Sequence, residues 1–195
     1  MKKNLTFGVR KKQVSYEMRK IAFMSSEVER DNSGENRFSS KDLRDFLKLL
    51  SEEDYNELIY NEFSLQFELG FFLRKRGFKV YFEINVKNDK VCGNSTDLSK
   101  FVKKEIDLFI INGDGSKSAV ELKFPTHKAY SKRKKDCEKD ALFMERVSLE
   151  DGVAKTYCLV LVHNNEIGEK YRAKMNGVCW EPIGNVFWFS LQEFG

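Results

Sequence analysis

The sequence predicts an α/β fold in which a central mixed sheet is flanked by helices, with a helical N-terminal extension ahead of it. Three observations carry that expectation. A strongly helical stretch is closed by Gly77 and followed by FKVYFEINV (78–86), whose alternating Val, Phe and Ile suit a strand. EIDLFII (105–111) and SAVELKF (118–124) flank NGDGSK and read as a hairpin. A helical pattern at 135–151 then leads into TYCLVLVH (156–163), an apolar run expected of a strand covered on both faces. Strands interleaved with helices in this way make an α/β layer structure.

The elements follow in order. Residues 1–30 are charged, with Val14, Met18, Ile21, Ala22 and Phe23 near helical spacing, and DNSGENRFSS (31–40) is a polar break. Ser40 precedes the helical KDLRDFLKLL, and residues 1–50 form the N-terminal extension, leaving 51–195 as the main domain. Ser51 with Asp54 resembles a capping box, so the next helix is expected from about 52 to Arg76, with Gly77 as its C′ residue. In the hairpin turn, Asn112-Gly113 and Asp114-Gly115 offer the positive-φ positions a reversal needs. PTHKAYSKRKK is a polar connector before the 135–151 helix, and NVFWFSL (185–191) is a short terminal strand.

Composition bounds the function classes. At 195 residues, with 41% hydrophobic residues and 17 Phe, the chain has material for a substantial core. A net charge of +4 from 34 basic and 30 acidic residues permits a polyanionic partner without demanding one. No stretch approaches eighteen apolar residues and no apolar run follows the basic N-terminus, so neither a membrane span nor a signal peptide is expected. Cys92, Cys137, Cys158 and Cys179 are scattered without a CxxC pair, which suits a reduced, cytoplasmic chain better than a zinc site. His127 and His163 are too few for a histidine-based metal centre.

The chemistry concentrates in the hairpin. Side chains alternate along a strand, so Glu121 and Lys123 share a face while Leu122 points to the other. Folding the hairpin brings Asp107 alongside them. Charged groups among Ile, Leu, Phe and Val are costly unless paired or metal-bound. A cross-strand salt bridge on a solvated face is the plain alternative.

An acid on one strand, a hairpin, then Glu-x-Lys on the next resembles the PD-(D/E)XK nuclease superfamily, the restriction-endonuclease-like fold. The match is Asp107 with Glu121-Leu122-Lys123, and the element order over residues 55–163 agrees; Ile106 stands where many members have Pro. The resemblance implies a metal-dependent nuclease hydrolysing phosphodiester bonds of nucleic acid, with DNA ranked first. Asp107, Glu121 and the Leu122 carbonyl are then ligands to Mg²⁺ or Mn²⁺, and Lys123 orients or deprotonates the attacking water. A catalytically silent nucleic-acid-binding or protein-interaction module on the same fold is the alternative, and a homodimer is left open.

A further acid is expected from the preceding helix. Glu62 lies on the stripe Leu58, Leu65, Leu69 and Phe72 and ranks as the catalytic candidate, ahead of Glu68, a candidate ligand one turn along. Glu83 interrupts an apolar strand and either reaches the same cleft or is the exposed side of an edge strand. Lys128, Lys132, Arg133, Lys134 and Lys135 follow the active strand and are candidate phosphate contacts, with a solvated charge run as the alternative. Asp140 lies on the helix facing this region with no role assigned.

Overall fold

The computed structural model describes residues 36–51, 58–86, 105–126, 130–150, 152–162, 164–174, 181–183 and 187–195. The elements, in order, are α1 (Ser40–Leu50), α2 (Glu62–Lys75), β1 (Lys79–Asn85), β2 (Glu105–Ile111), β3 (Lys117–Lys123), α3 (Tyr130–Val147), β4 (Val153–Val162), α4 (Asn165–Lys174), β5 (Glu181–Ile183) and β6 (Phe187–Phe194). Among the described residues the strands form one sheet in the order β1-β2-β3-β4-β6-β5. The β3–β4 pair is parallel and the other neighbours are antiparallel, so the sheet is mixed, as expected. Helix α3 makes the crossover that a parallel pair requires.

Two apolar layers cover the sheet. Leu43, Phe46, Leu47 and Leu50 of α1 and Leu65, Leu69 and Leu73 of α2 pack with Leu108, Val120, Leu122, Leu159 and Leu161. Phe143, Met144 and Val147 of α3 pack with Ile106, Phe109 and Ala119. Ala119 and Val120 are adjacent on one strand, so these layers lie on opposite faces. Residues 36–50, assigned from sequence to the N-terminal extension, thus contribute to the sheet's core. The expected helix within residues 1–30 lies outside the described residues.

Several boundaries differ from expectation for identifiable reasons. Helix α2 begins at Glu62 rather than near 52, because Asn61 is its N-cap: Asn61 Oδ1 accepts the Ser64 N–H at 2.7 Å, and Ser64 Oγ accepts the Asn61 N–H at 3.0 Å. Helix α3 begins at Tyr130, so the basic segment read as a connector is helical; Lys and Arg are good helix formers. The hairpin turn takes positive φ only at Gly115 (81°). Gly113 is needed for close approach instead: its N–H donates to Asn36 O at 2.9 Å, and a Cβ there would lie 3.1 Å from the Asn36 nitrogen.

Helix α2 is seated tightly. A Cβ at Gly70 would sit 2.3 Å from the Phe82 ring of β1, a separation no side chain could hold without displacing that ring. At its C-terminal end, Arg76 pairs with Asp42 (3.0 Å) and Asp45 (2.9 Å) of α1. The sheet and α1 therefore fix where the first turn of α2, which carries Glu62, meets the end of β3.

Candidate active site

The register places Asp107 beside Glu121. Leu108 pairs with Val120, and no backbone pair continues beyond it toward Asp107 and Glu121. At that point the two strands part, and the Asp107 carboxylate takes over: its Oδ2 accepts the Leu122 N–H at 2.7 Å. A side-chain acceptor thus replaces a backbone one where the ladder ends, which satisfies the buried amide and fixes the carboxylate.

The other side of β2 shows the same device. Glu83, opposite Asp107, is missing from the β1–β2 pairing and has φ 48°. A non-glycine residue in that region costs about 1–3 kcal/mol and persists only where its surroundings impose it. Gln66 of α2 bridges the gap, donating through Nε2 to the Asp107 carbonyl (2.7 Å) and to Glu83 Oε1 (2.8 Å). Glu83 itself lies exposed on the edge strand, so of the two expectations for it the edge position holds.

Lys123 is the hub. Its Nζ lies 3.0 Å from the Leu122 carbonyl, 3.3 Å from Glu62 Oε1, 3.3 Å from Glu121 Oε1 and 3.2 Å from Asp140 Oδ2. Glu62 also accepts the Phe124 N–H through Oε2 at 3.1 Å, which ties the first turn of α2 to the end of β3. Glu121 is wholly buried and Asp107 nearly so, whereas the Glu62 side chain is 44% exposed. The cluster therefore has a sealed floor and a solvent-facing rim at Glu62.

Burial works to lower the Lys123 pKa, but attraction to Glu121, Glu62, Asp140 and Asp107 outweighs it and raises the value above that of an ordinary lysine. Lys123 is consequently an ammonium at neutral pH. One ammonium is thus set among four carboxyl groups. Two thiols border it without joining its chemistry. Cys158 is the register partner of Glu121. Burial, with Asp140 adding to it, pushes the Cys137 thiol up to about 11, so both cysteines behave as packed neutral groups.

The structure thus brings together Asp107, Glu121, Leu122, Lys123 and Glu62. Glu68 lies half-buried on α2, six residues beyond Glu62. Lys132, Arg133, Lys134 and Lys135 occupy successive positions of α3, so they spread around the helix instead of forming one patch. Arg133 lies 3.8 Å from Asp136 and Lys134 lies 3.9 Å from Glu138. Lys128 lies outside the described residues. Asp140 and Gln66 are the participants to which the sequence assigned no role. Asp140 sits on the expected helix, but only the packing of α3 turns it toward Lys123.

Among the described residues no group of three or more His, Cys, Asp or Glu side chains is arranged to hold a metal ion. The Lys123 ammonium takes the central position among the carboxylates. Asp107, Glu121 and the Leu122 carbonyl offer oxygen atoms, the donor type that Mg²⁺ takes. No helix among the described residues is long and apolar enough to cross a membrane.

Comparison with protein-family models, with curated proteins and with solved structures found no match.

Proposed function

We propose that this chain is a divalent-metal-dependent phosphodiesterase acting on nucleic acid, with the restriction-endonuclease-like fold and PD-(D/E)XK chemistry that its hairpin resembles. The observation that carries this reading is the convergence of Asp107, Glu121, Lys123 and Glu62 at the point where β2 and β3 part. Structural salt bridges do not need one buried ammonium among four carboxylates. Such an arrangement is costly to fold, because a buried charge pair already recovers little more than its desolvation cost and further like charges add repulsion.

In this proposal Asp107, Glu121 and the Leu122 carbonyl hold Mg²⁺ or Mn²⁺. The ion, when bound, neutralises the phosphate and lowers the pKa of a coordinated water. Asp107 is fixed for that role by the Leu122 N–H, and its backbone by Gln66. Lys123, charged as the cluster holds it, stabilises the negative charge that develops on the phosphate oxygens. Deprotonating water, the other role considered for it, does not suit an ammonium. Glu62, half in solvent, would orient the attacking water and receive its proton. Asp140 positions the Lys123 ammonium from the α3 side.

The lysine-filled cluster also favours a second reading, a non-catalytic binding module in which Lys123 closes the site as a permanent ion-pair node. Incubating labelled single- and double-stranded DNA and RNA with Mg²⁺ or Mn²⁺, beside Lys123→Ala, separates the two. Metal-dependent cutting that the substitution abolishes supports the nuclease. Binding of nucleic acid without cutting in either metal supports the module.

A further inference from the structure

Helix α3 packs on the sheet through one stripe. Arg133, Cys137, Asp140, Met144 and Val147 recur at the three- and four-residue spacing that puts side chains on one face. Met144 and Val147 sit in the core with Ile106, Phe109 and Ala119, Asp140 is buried beside Lys123, and Cys137 is half-buried. Arg133 is the first member of the stripe, half-buried where the helix begins. Its neighbours in the basic run differ: Lys132 and Lys135 are exposed, and Lys134 lies 3.9 Å from Glu138. Cys137 links Arg133 to the cluster, since its thiol feels both the Lys123 ammonium and the Arg133 guanidinium.

The Arg133 side chain is held in place without being satisfied. Its Nε is buried and has no hydrogen-bond partner. Among the described residues its one ion pair is with Asp136 Oδ2, 3.8 Å from Nη1 and beyond hydrogen-bond reach. A guanidinium carries five donors, and leaving a buried charged donor without an acceptor costs more than an ordinary hydrogen bond contributes. A solvated charge run bears no such cost, because water satisfies its donors. The Arg133 side chain is 35% exposed, so the outer edge of the fork, Nη1 and Nη2, is open to solvent.

We propose that Arg133 grips a phosphate of the nucleic-acid strand next to the one that is cut, and so sets how the substrate lies across the Lys123 cluster. The proposal rests on the nuclease reading above and adds a substrate-binding residue to it. Two parallel N–H donors match two oxygens of one phosphate, a match that a lysine cannot make. Partial burial leaves the guanidinium poorly solvated, so its open edge gains more from an anion than a fully hydrated cation would. The first turn of α3 holds no acidic residue, and the positive end of the helix dipole adds to the same attraction. Seven residues of helix, about 10 Å, separate Arg133 from Asp140. The anion at the fork is therefore a different group from the one at Lys123, and along a nucleic-acid strand the next anion is another phosphate.

Fluorescence anisotropy of short fluorescein-labelled DNA, single- and double-stranded, tests the grip in EDTA without catalysis. Arg133→Gln is compared with Lys132→Gln, which removes the same charge from the adjacent exposed position. On the form that the wild type binds, Arg133→Gln should weaken affinity about tenfold and lower the slope of log K against log salt by about one. Lys132→Gln should stay within about twofold of the wild type, as a solvated charge does. Arg133→Lys, which keeps the charge without the fork, should restore the salt slope and recover part of the affinity. In Mg²⁺, Arg133→Gln should raise KM for DNA about tenfold with little change in kcat, the split expected of a contact made equally before and during the reaction. The grip is overturned if the wild type binds neither DNA, if Arg133→Gln binds as the wild type does, or if Lys132→Gln loses as much as Arg133→Gln. The two proposals fail separately: Arg133-dependent binding without cleavage removes the nuclease and keeps the grip, whereas cleavage insensitive to Arg133→Gln removes the grip alone.

Discussion

The two ends of the β2–β3 hairpin bury polar groups in opposite ways. At the turn, Asn112 accepts the Phe38 N–H (3.0 Å) and donates to Ser116 Oγ (2.9 Å) and Ser118 Oγ (3.3 Å). The buried groups bonded to Asn112 are neutral, the Asp114 carboxylate at the outer turn is paired with Arg37 and accepts from Ser116, and the bonds tie the start of the described chain to the sheet. At the open end, Asp107, Glu121, Glu62 and Asp140 surround a single ammonium. A neutral, satisfied network adds stability and specifies packing; buried ionisable groups recover little beyond their desolvation cost. The same hairpin therefore carries at one end a satisfied hydrogen-bond network and at the other a crowded set of ionisable groups.

The contrast is broken most readily at the charged end. Glu121→Gln removes one of the buried carboxyl groups, so thermal unfolding of the metal-free protein should shift upward or stay level, while metal-dependent cleavage falls by at least about a hundredfold. A loss of stability equal to that at the turn would erase the distinction between the two ends. At the turn, Asn112→Ala strands the buried Phe38 N–H and should cost about 2–3 kcal/mol in urea unfolding. Its cleavage rate per folded molecule should remain that of the wild type.

Smaller effects sharpen the picture by testing the frame that holds Glu62 against β3. Gly70→Ala drives a methyl into the Phe82 ring and should destabilise by about 2 kcal/mol, read as a lower urea midpoint at unchanged slope. Arg76→Met removes the half-buried link to Asp42 and Asp45 and should cost about 1 kcal/mol by the same measurement. Both lie away from the cluster, so neither should abolish cleavage in the folded protein.

Alternation and turn composition made the hairpin legible, and with it the shared face of Glu121 and Lys123. The apolar stripe of α2, with Leu65, Leu69 and Phe72, ranked Glu62 slightly ahead of Glu68, and Glu62 does reach Lys123. Other features depend on tertiary contacts that no local pattern encodes. Asp140 joins Lys123 only through the way α3 packs, and Gln66 matters only because β1 and β2 lose a pair at Glu83. The basic run 132–135 reads as a loop when charge is weighed, yet it forms helix because Lys and Arg propagate one readily.

The central claim is that the charged end of the hairpin is a cation site held by Lys123 until a metal arrives. Titration of Mn²⁺ by calorimetry into the wild type, Glu121→Gln and Lys123→Met tests it most directly. The wild type should bind and Glu121→Gln should not. Lys123→Met, freed of the competing ammonium, should bind at least as tightly as the wild type while failing to cleave. Absence of Mn²⁺ binding in both the wild type and Lys123→Met would contradict the claim and leave the cluster a structural ion-pair node.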